Sequence, residues 1–444
     1  MSVGRCLQQL ELALHYDARS LMVLQQTSPS MRKALQEGLL EVFCKLVRQP
    51  VAGHNLTGAI WKLACLSPRG HERACAVLGA RLRHRRPLVR EVAVKALGHI
   101  AIAEELVPRI RQCLSDAQGR VRAAAAQTLS GLARKNDLVT IRELIGVLGD
   151  ECPEACRAAI VAIGALTETG HDVVTQELAE LLGHDCSKVR WAALEALAQT
   201  SRKGDDAVVA FLVPCLEDAD IDIRTAAVDA LRRVALHGDP ATVRGASMLL
   251  EHRDGSVRAG ALRTLSWVAR VGDAEVMAKA KSCLEDGVSN VRAAALHAMA
   301  ELVTHKGDVD VIARVVGKLS DSESFVRGAA LESLLKVADQ GDATAVPAVL
   351  ELLEHPDGRV RLAAVEALGQ VAPKNDASII STVAELMEDR HTGVCCVAVQ
   401  VLGHLGAGDA QCRQLLLQRR YDAEAAQPVR AAAAYVLEEG GFES

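Results

Sequence analysis

Apolar and small residues recur along most of this chain at a helical period, and the blocks that carry them recur as well. A typical block opens on Val-Arg, runs through an Ala-rich stretch and closes on Leu. Counting its arginine as zero, small or apolar residues fall at +2, +3, +6, +7 and +10, as in Ala294, Ala295, Ala298, Met299 and Leu302 after Arg292. Those offsets share one broad helical face. A shorter apolar period precedes it, Val276, Ala280 and Leu284, with the polar turn Glu285-Asp286-Gly287 between them. Each block therefore predicts two helices.

The anchoring arginines are Arg90, Arg122, Arg157, Arg190, Arg224, Arg258, Arg292, Arg327 and Arg361. The register continues at Val394-Cys395, where the arginine is missing, and at Val429-Arg430. Spacings lie between 32 and 35 residues, so eleven copies span 340 residues at a mean period of 34. Units of this size cannot bury their apolar faces alone and do so by stacking. The expected fold is all-α, an α-solenoid superhelix of about 13 stacked helix pairs. Residues 86–444 form its regular array and residues 1–85 a divergent N-terminal portion continuous with it.

Gly-Asp punctuates the array at Gly204-Asp205, Gly238-Asp239, Gly272-Asp273, Gly307-Asp308, Gly341-Asp342 and Gly408-Asp409, with Asn136-Asp137 and Asn375-Asp376 as variants. Glycine or asparagine can end a helix in the left-handed conformation, and aspartate can accept from the free amides that open the next. A second aspartate precedes most anchors by four to seven residues, among them Asp116, Asp150, Asp185, Asp218, Asp254, Asp286, Asp321, Asp357 and Asp389. Guanidinium groups pairing with these turn carboxylates, in their own or the adjacent unit, would form a ladder that keeps the stack in register.

Composition agrees with close helix packing: 50% of residues are hydrophobic but only 2% aromatic, so Ala, Leu and Val supply the apolar mass. A formal net charge of −5 gives no global attraction for nucleic acid or anionic membrane. Thirteen cysteines include no CxxC pair, and Cys65, Cys113, Cys215 and Cys283 sit at helix positions expected to be buried. The first twenty residues carry Arg5, Glu11, His15, Asp17 and Arg19, which argues against a secretory leader, and no apolar run is long enough to span a bilayer. A reduced, intracellular, cytoplasmic protein is expected.

The motif of a turn aspartate, Val-Arg, two small residues and Ala-Leu is clearest at residues 254–265 (DGSVRAGALRTL), 321–334 and 357–368. It closely resembles HEAT repeats, particularly the short regular kind also seen in phycobilin lyase-like proteins. The resemblance is strong from about residue 86 to 440. Residues 31–66 look more like an armadillo unit, with a glycine after a first helical segment and a Leu/Val-rich helix following. Tetratricopeptide repeats share the period but carry bulky aromatics that this chain lacks.

In solenoids the second helices usually line the concave side, which makes their solvent positions the informative ones. At +5 they read Lys95, Gln127, Ala162, Glu195, Asp229, Arg263, His297, Glu332, Glu366, Gln400 and Tyr435, with no fixed residue type. Anchors are uniform because packing dictates them; a varied strip suits a particular protein partner, although a plain solvated face remains the alternative. Trp191 at +1 and Trp267 at +9 are out of character in Ala-rich helices and, with Arg263, are candidate interface anchors, a local packing role being the alternative. Arg81, Arg83, Arg85 and Arg86, with His84 and Arg90, form a dense basic run at the start of the regular array. It could hold an acidic partner or phosphates, but without interleaved aromatics it is poorly suited to nucleic acid. The last helix is followed by only a few residues, so self-association through an uncapped C-terminal end is possible.

Enzymatic readings find little support. Deoxyhypusine hydroxylases build a di-iron centre on similar repeats from several His-Glu pairs, whereas His-Glu occurs here once, at His71-Glu72. HExxH, P-loop and GxSxG motifs are absent, and Cys395-Cys396 reads as local degeneration of a repeat before a thiol site. The sequence thus predicts a non-catalytic protein-binding scaffold without metal or cofactor. A lyase-like or chaperone-like factor for a cofactor-bearing protein is the alternative.

Overall fold

A computed structural model describes residues 29–48, 55–100, 106–407 and 409–439. All regular structure among them is helical, in twelve consecutive pairs. The first unit holds α1 (Pro29–Arg48) and α2 (Asn55–Leu66), α3 (Glu72–Arg81) and α4 (Pro87–Ile100), and α5 (Val107–Arg111) and α6 (Gly119–Leu132). It continues with α7 (Leu138–Gly146) and α8 (Pro153–Leu166), then α9 (Asp172–Glu180) and α10 (Ser187–Thr200). The boundary between two compact units falls after Val208, inside α11 (Asp206–Leu212). The second unit holds α12 (Ile221–Val234), α13 (Pro240–Met248), α14 (Gly255–Val268), α15 (Ala274–Ser282), α16 (Ser289–Leu302), α17 (Val309–Gly317) and α18 (Ser324–Val337). It ends with α19 (Ala345–Glu351), α20 (Gly358–Val371), α21 (Ala377–Glu385), α22 (Thr392–Leu405), α23 (Ala410–Tyr421) and α24 (Gln427–Glu439). The chain is an α-solenoid, close to the expected count of pairs. Expectations that concern the first twenty residues, Gly408 and the stretch after Glu439 lie outside the described residues.

Even-numbered helices form the core of each unit. In α16 the predicted face, Ala294, Ala295, Ala298, Met299 and Leu302, is buried, and Val276, Ala280 and Leu284 are buried opposite it. Fully burying a leucine such as Leu302 contributes about 1.5–3 kcal/mol, and the alanines let neighbouring helices approach closely. Most odd-numbered helices are short and tighten into a 3-10 turn, for example Cys283–Glu285 after α15, before the chain reverses.

The punctuation works as read, and does more. Gly238, Gly272, Gly307 and Gly341 adopt φ between 80° and 89°, while Asn136 and Asn375 take 59°. The following aspartates cap the next helix: Asp273 accepts from Val276 N at 3.1 Å and Asp239 from Thr242 N at 2.6 Å. These six left-handed residues also turn their own N–H onto the last carbonyl of the next repeat's second helix. Gly272 N donates to Leu302 O at 2.8 Å, Gly341 N to Val371 O at 2.6 Å, and Asn136 N to Leu166 O at 2.7 Å. A helix terminator is thereby also a stitch between repeats.

Several positions depart from the sequence reading. Arg157 is not an anchor: the fourth residue of α8, equivalent to Arg122 in α6 and Arg190 in α10, is Cys156, which equalises both neighbouring spacings at 34. Arg157 lies one residue further round, exposed, with Glu154 at 3.9 Å. The +5 residue of α8 is consequently exposed Val161, not buried Ala162. Cys65 is exposed, unlike Cys113, Cys215 and Cys283. Gly38, expected between helical segments, lies inside the unbroken α1.

Candidate partner-binding surface

Most anchor arginines leave the candidate list because they are committed to packing. Arg258 grips Asp286 of the next repeat through two bonds, Nε to Oδ2 at 2.8 Å and Nη2 to Oδ1 at 2.7 Å, while Nη1 donates to the carbonyl of His252 in its own repeat at 2.7 Å. Arg90–Asp116, Arg122–Asp150, Arg292–Asp321 and Arg361–Asp389 repeat this clasp. The carboxylate always comes from the adjacent unit, six residues before its own anchor. Asp254 and Asp357, which the sequence groups with these acceptors, cap α14 and α20, and Asp254 keeps only a looser contact with the preceding anchor, its Oδ2 3.9 Å from Arg224 Nη2. Histidine fills the acceptor position at 252 and 355, so Arg224 and Arg327 make no such two-bond clasp. Arg224 turns to Ser256 Oγ, and Arg327 donates to the carbonyls of Asp321 and Ser322. Each of these histidines still holds its turn through Nδ1, as His252 does by accepting from Asp254 N at 3.1 Å.

Five residues beyond the anchor, the second helices show their solvent face. In the first unit Lys95, Gln127 and Val161 are exposed and Glu195 is half-buried; Trp191 is 36% exposed on α10. A cleft of about 510 Å³ crosses α4, α6 and α8. Its middle helix offers small Ala123 between Glu91 and Lys95 on one side and Arg157 and Val161 on the other, with Arg120 and Glu154 also lining it. Lys95 Nζ is 2.7 Å from Glu91 Oε1. The cleft is thus an open depression with an apolar floor and charged walls, suited to a peptide or a protruding side chain.

In the second unit Asp229, Arg263, Glu332, Gln400 and Tyr435 are exposed along the same strip, and His297 and Glu366 are half-buried. His297 Nε2 lies 4.0 Å from Glu332 Oε2 on the next repeat. Burial raises the Glu366 pKa, with the nearby Arg327 acting the other way. Trp267 is half-buried and its indole Nε1 is enclosed without a hydrogen-bond partner, which gives it a large share of packing. The three bulky candidates are divided between units: Trp191 belongs to the first, Arg263 and Trp267 to the second.

Trp61 escaped the sequence reading. It is 46% exposed on α2, its ring centroid 6.1 Å from that of His99 on α4. Its rarity was the available signal, since the chain has only three tryptophans. Arg120 and Glu154, two residues before their anchors, were missed because attention to +5 ignores the start of the helix.

His71 of the single His-Glu pair caps α3, its Nδ1 accepting from Ala74 N at 3.1 Å. Cys395 fills an anchor position, its Sγ 2.9 Å from Asp389 O, and burial raises the thiol pKa of both Cys395 and Cys396. No cluster of three His, Cys, Asp or Glu suited to a metal occurs among the described residues. None of the described helices is long and apolar enough to cross a membrane.

Among solved structures, similar folds include the karyopherin Kap121p bound to Pho4p (TM-score 0.65, 14% identity, 93% of this chain and 49% of that one). Kap121p bound to RanGTP is also similar (TM-score 0.62, 14% identity, 93% and 49%). So is Kap95p, in a structure concerned with the switch loops of RanGDP (TM-score 0.55, 13% identity, 98% and 61%). The chain spans about half the length of the Kap121p chains, and at such identities the likeness is one of fold. No curated protein matches it in sequence. The family profile for HEAT repeats matches residues 59–130, 75–162, 141–232, 242–335, 319–379 and 346–438, well over half of the 444 residues, and the chain belongs to the HEAT-repeat family.

Proposed function

We propose that this protein is a non-catalytic scaffold or adaptor that binds a protein partner along the solvent face of its second helices. The observation that carries this reading is the contrast within single helices. Anchor and core positions are largely uniform, while the strip five residues beyond the anchor mixes acidic, basic, neutral and aromatic side chains and opens into the cleft between α4 and α8. Packing sets the first group and leaves the second free to match a partner. Kap121p and Kap95p, solved with Pho4p and Ran, are proteins of similar fold that engage other proteins. The divergent helices before residue 86 would belong to the same body as armadillo-like units. The finer likeness to phycobilin lyase-like repeats rests on the repeat sequence and supplies no reactive residue.

Affinity would concentrate on a few bulky residues, Trp191 and Arg263 foremost. Quantitative mass spectrometry of proteins recovered with tagged wild-type and with Trp191→Ala/Arg263→Glu protein should show about a tenfold or larger loss of one specific partner at unchanged melting temperature. Undiminished recovery would overturn the assignment of these residues.

A further inference from the structure

A second groove lies between successive first helices, away from the second-helix strip. Ala76, Gly79 and Ala80 of α3, with Leu82 beyond its end, face Arg109 of α5 and Gln112 across a groove of about 570 Å³. The floor is small and apolar; the charge at its rim is not compensated. Arg83 and Arg109 line the groove, both exposed, and neither side chain has a hydrogen bond or ion pair among the described residues. The one carboxylate in the lining, Asp116, is already held through both oxygens by Arg90.

Around this groove the positive field is dense. Arg85 and Arg86 follow Arg83 closely, exposed and likewise without side-chain partners. Desolvation, and next Arg81, Arg85 and Arg86, lower the pKa of His84 between them. Arg81 is itself spent on the carbonyl of Val47, at 2.7 Å, so the run divides into a structural part and a free part. Exposed cations elsewhere commonly have carboxylates at hand, as in Lys279–Glu275, Lys306–Asp339 and Lys336–Glu301. Glycine at 79 keeps the groove open: a Cβ there would come within 3.3 Å of Arg109 Nη1.

We infer that this groove binds an acidic peptide segment of a partner protein, with carboxylates on Arg83 and Arg109 and an apolar side chain on the floor between them. Four guanidinium groups without a carboxylate partner among the described residues call for an anion. The apolar floor favours a peptide, because no aromatic ring lines the groove for bases to stack on. The inference does not depend on the second-helix strip, and either surface can fail without the other.

Fluorescence anisotropy tests it with the full-length protein and two labelled probes, a twelve-residue Glu/Leu peptide and a twelve-residue oligothymidylate. The peptide should bind more tightly than the oligonucleotide and weaken with added salt. Arg83→Gln/Arg109→Gln should weaken it about tenfold or more, as expected for loss of charge-assisted bonds. Gly79→Leu should fill the floor and weaken it without removing charge, whereas Arg120→Gln on the other surface should not. Because the Arg83 and Arg109 side chains have no partners among the described residues, the melting temperature of their double variant should be unchanged. Peptide binding equal in the double variant and wild type, or tighter binding of the oligonucleotide, would overturn the proposal.

Discussion

Arg90, Arg122, Arg258, Arg292 and Arg361 each do three things at once: they close their own turn, reach the next repeat and neutralise a half-buried aspartate. At Arg258 and Asp286 the side chains retain only 16% and 13% of their exposure, so removing one partner strands the other in a desolvated place. Arg258→Ala and Arg292→Ala should each cost about 2–4 kcal/mol, read as a lower melting temperature, and Arg327→Ala, which breaks no ion pair of this kind, distinctly less. Conversely His355→Asp would supply the missing carboxylate beside Arg327 while keeping the turn, and should raise the melting temperature. A drop would refute the equivalence of positions 355 and 286. The clasps also fix a pH dependence. Arg258 holds Asp286 below its ordinary value of 3.8, against burial, and Arg361 does the same for Asp389. A carboxylate more acidic in the folded state adds stability that is complete above its unfolded value and is lost as pH falls through the lower folded one. Melting temperature should therefore hold steady from neutral pH to about 5 and fall below about 4, less steeply in an Arg258→Ala/Arg292→Ala variant.

Elements are bounded by residues whose backbone geometry was legible, but whose partners were not. Gly-Asp and Asn-Asp announce a left-handed stop and a cap locally, since both interactions lie within a few residues. The bond from Gly272 N to Leu302 O spans thirty positions and has no local signature. For the same reason the sequence reading offered an aspartate in the same or adjacent unit, and only three-dimensional stacking distinguishes Asp286 from Asp254. Cys156 was passed over because the neighbouring Arg157 completes the expected motif; helix phase decides between them by burying one and exposing the other. Gly341→Ala should lose about 1–2 kcal/mol from the left-handed backbone alone, as its nearest neighbour, Pro373 Cβ, stands 3.9 Å from the added atom. Gly272→Ala should lose more, with Thr304 Cγ2 only 2.6 Å away, and Asn375→Gly should be neutral or mildly stabilising. Equal losses for the two glycines in thermal denaturation would remove the steric part of this explanation.

At the scale of the molecule, repeats held by their neighbours transmit damage over short distances. Arg122→Ala should speed amide exchange in α4, α6 and α8 well before it affects α20 and α22, as hydrogen-exchange mass spectrometry can resolve. Uniform acceleration along the chain would contradict nearest-neighbour coupling. Architecture was legible from periodicity because every repeat restates it. The candidate surface was legible only as a strip of variable positions, since the cleft across α4, α6 and α8 depends on which small residues, such as Ala123, fall between larger ones on adjacent helices. Site-specific photo-crosslinking addresses the proposed function most directly. A photoreactive residue placed at Val161, Arg263 or Glu332 on second helices should capture one recurrent partner. The same residue at exposed Val139, Val173 or Val309 on first helices should not. Equal capture from both faces, or capture from the first helices alone, would contradict a partner surface built on the second helices.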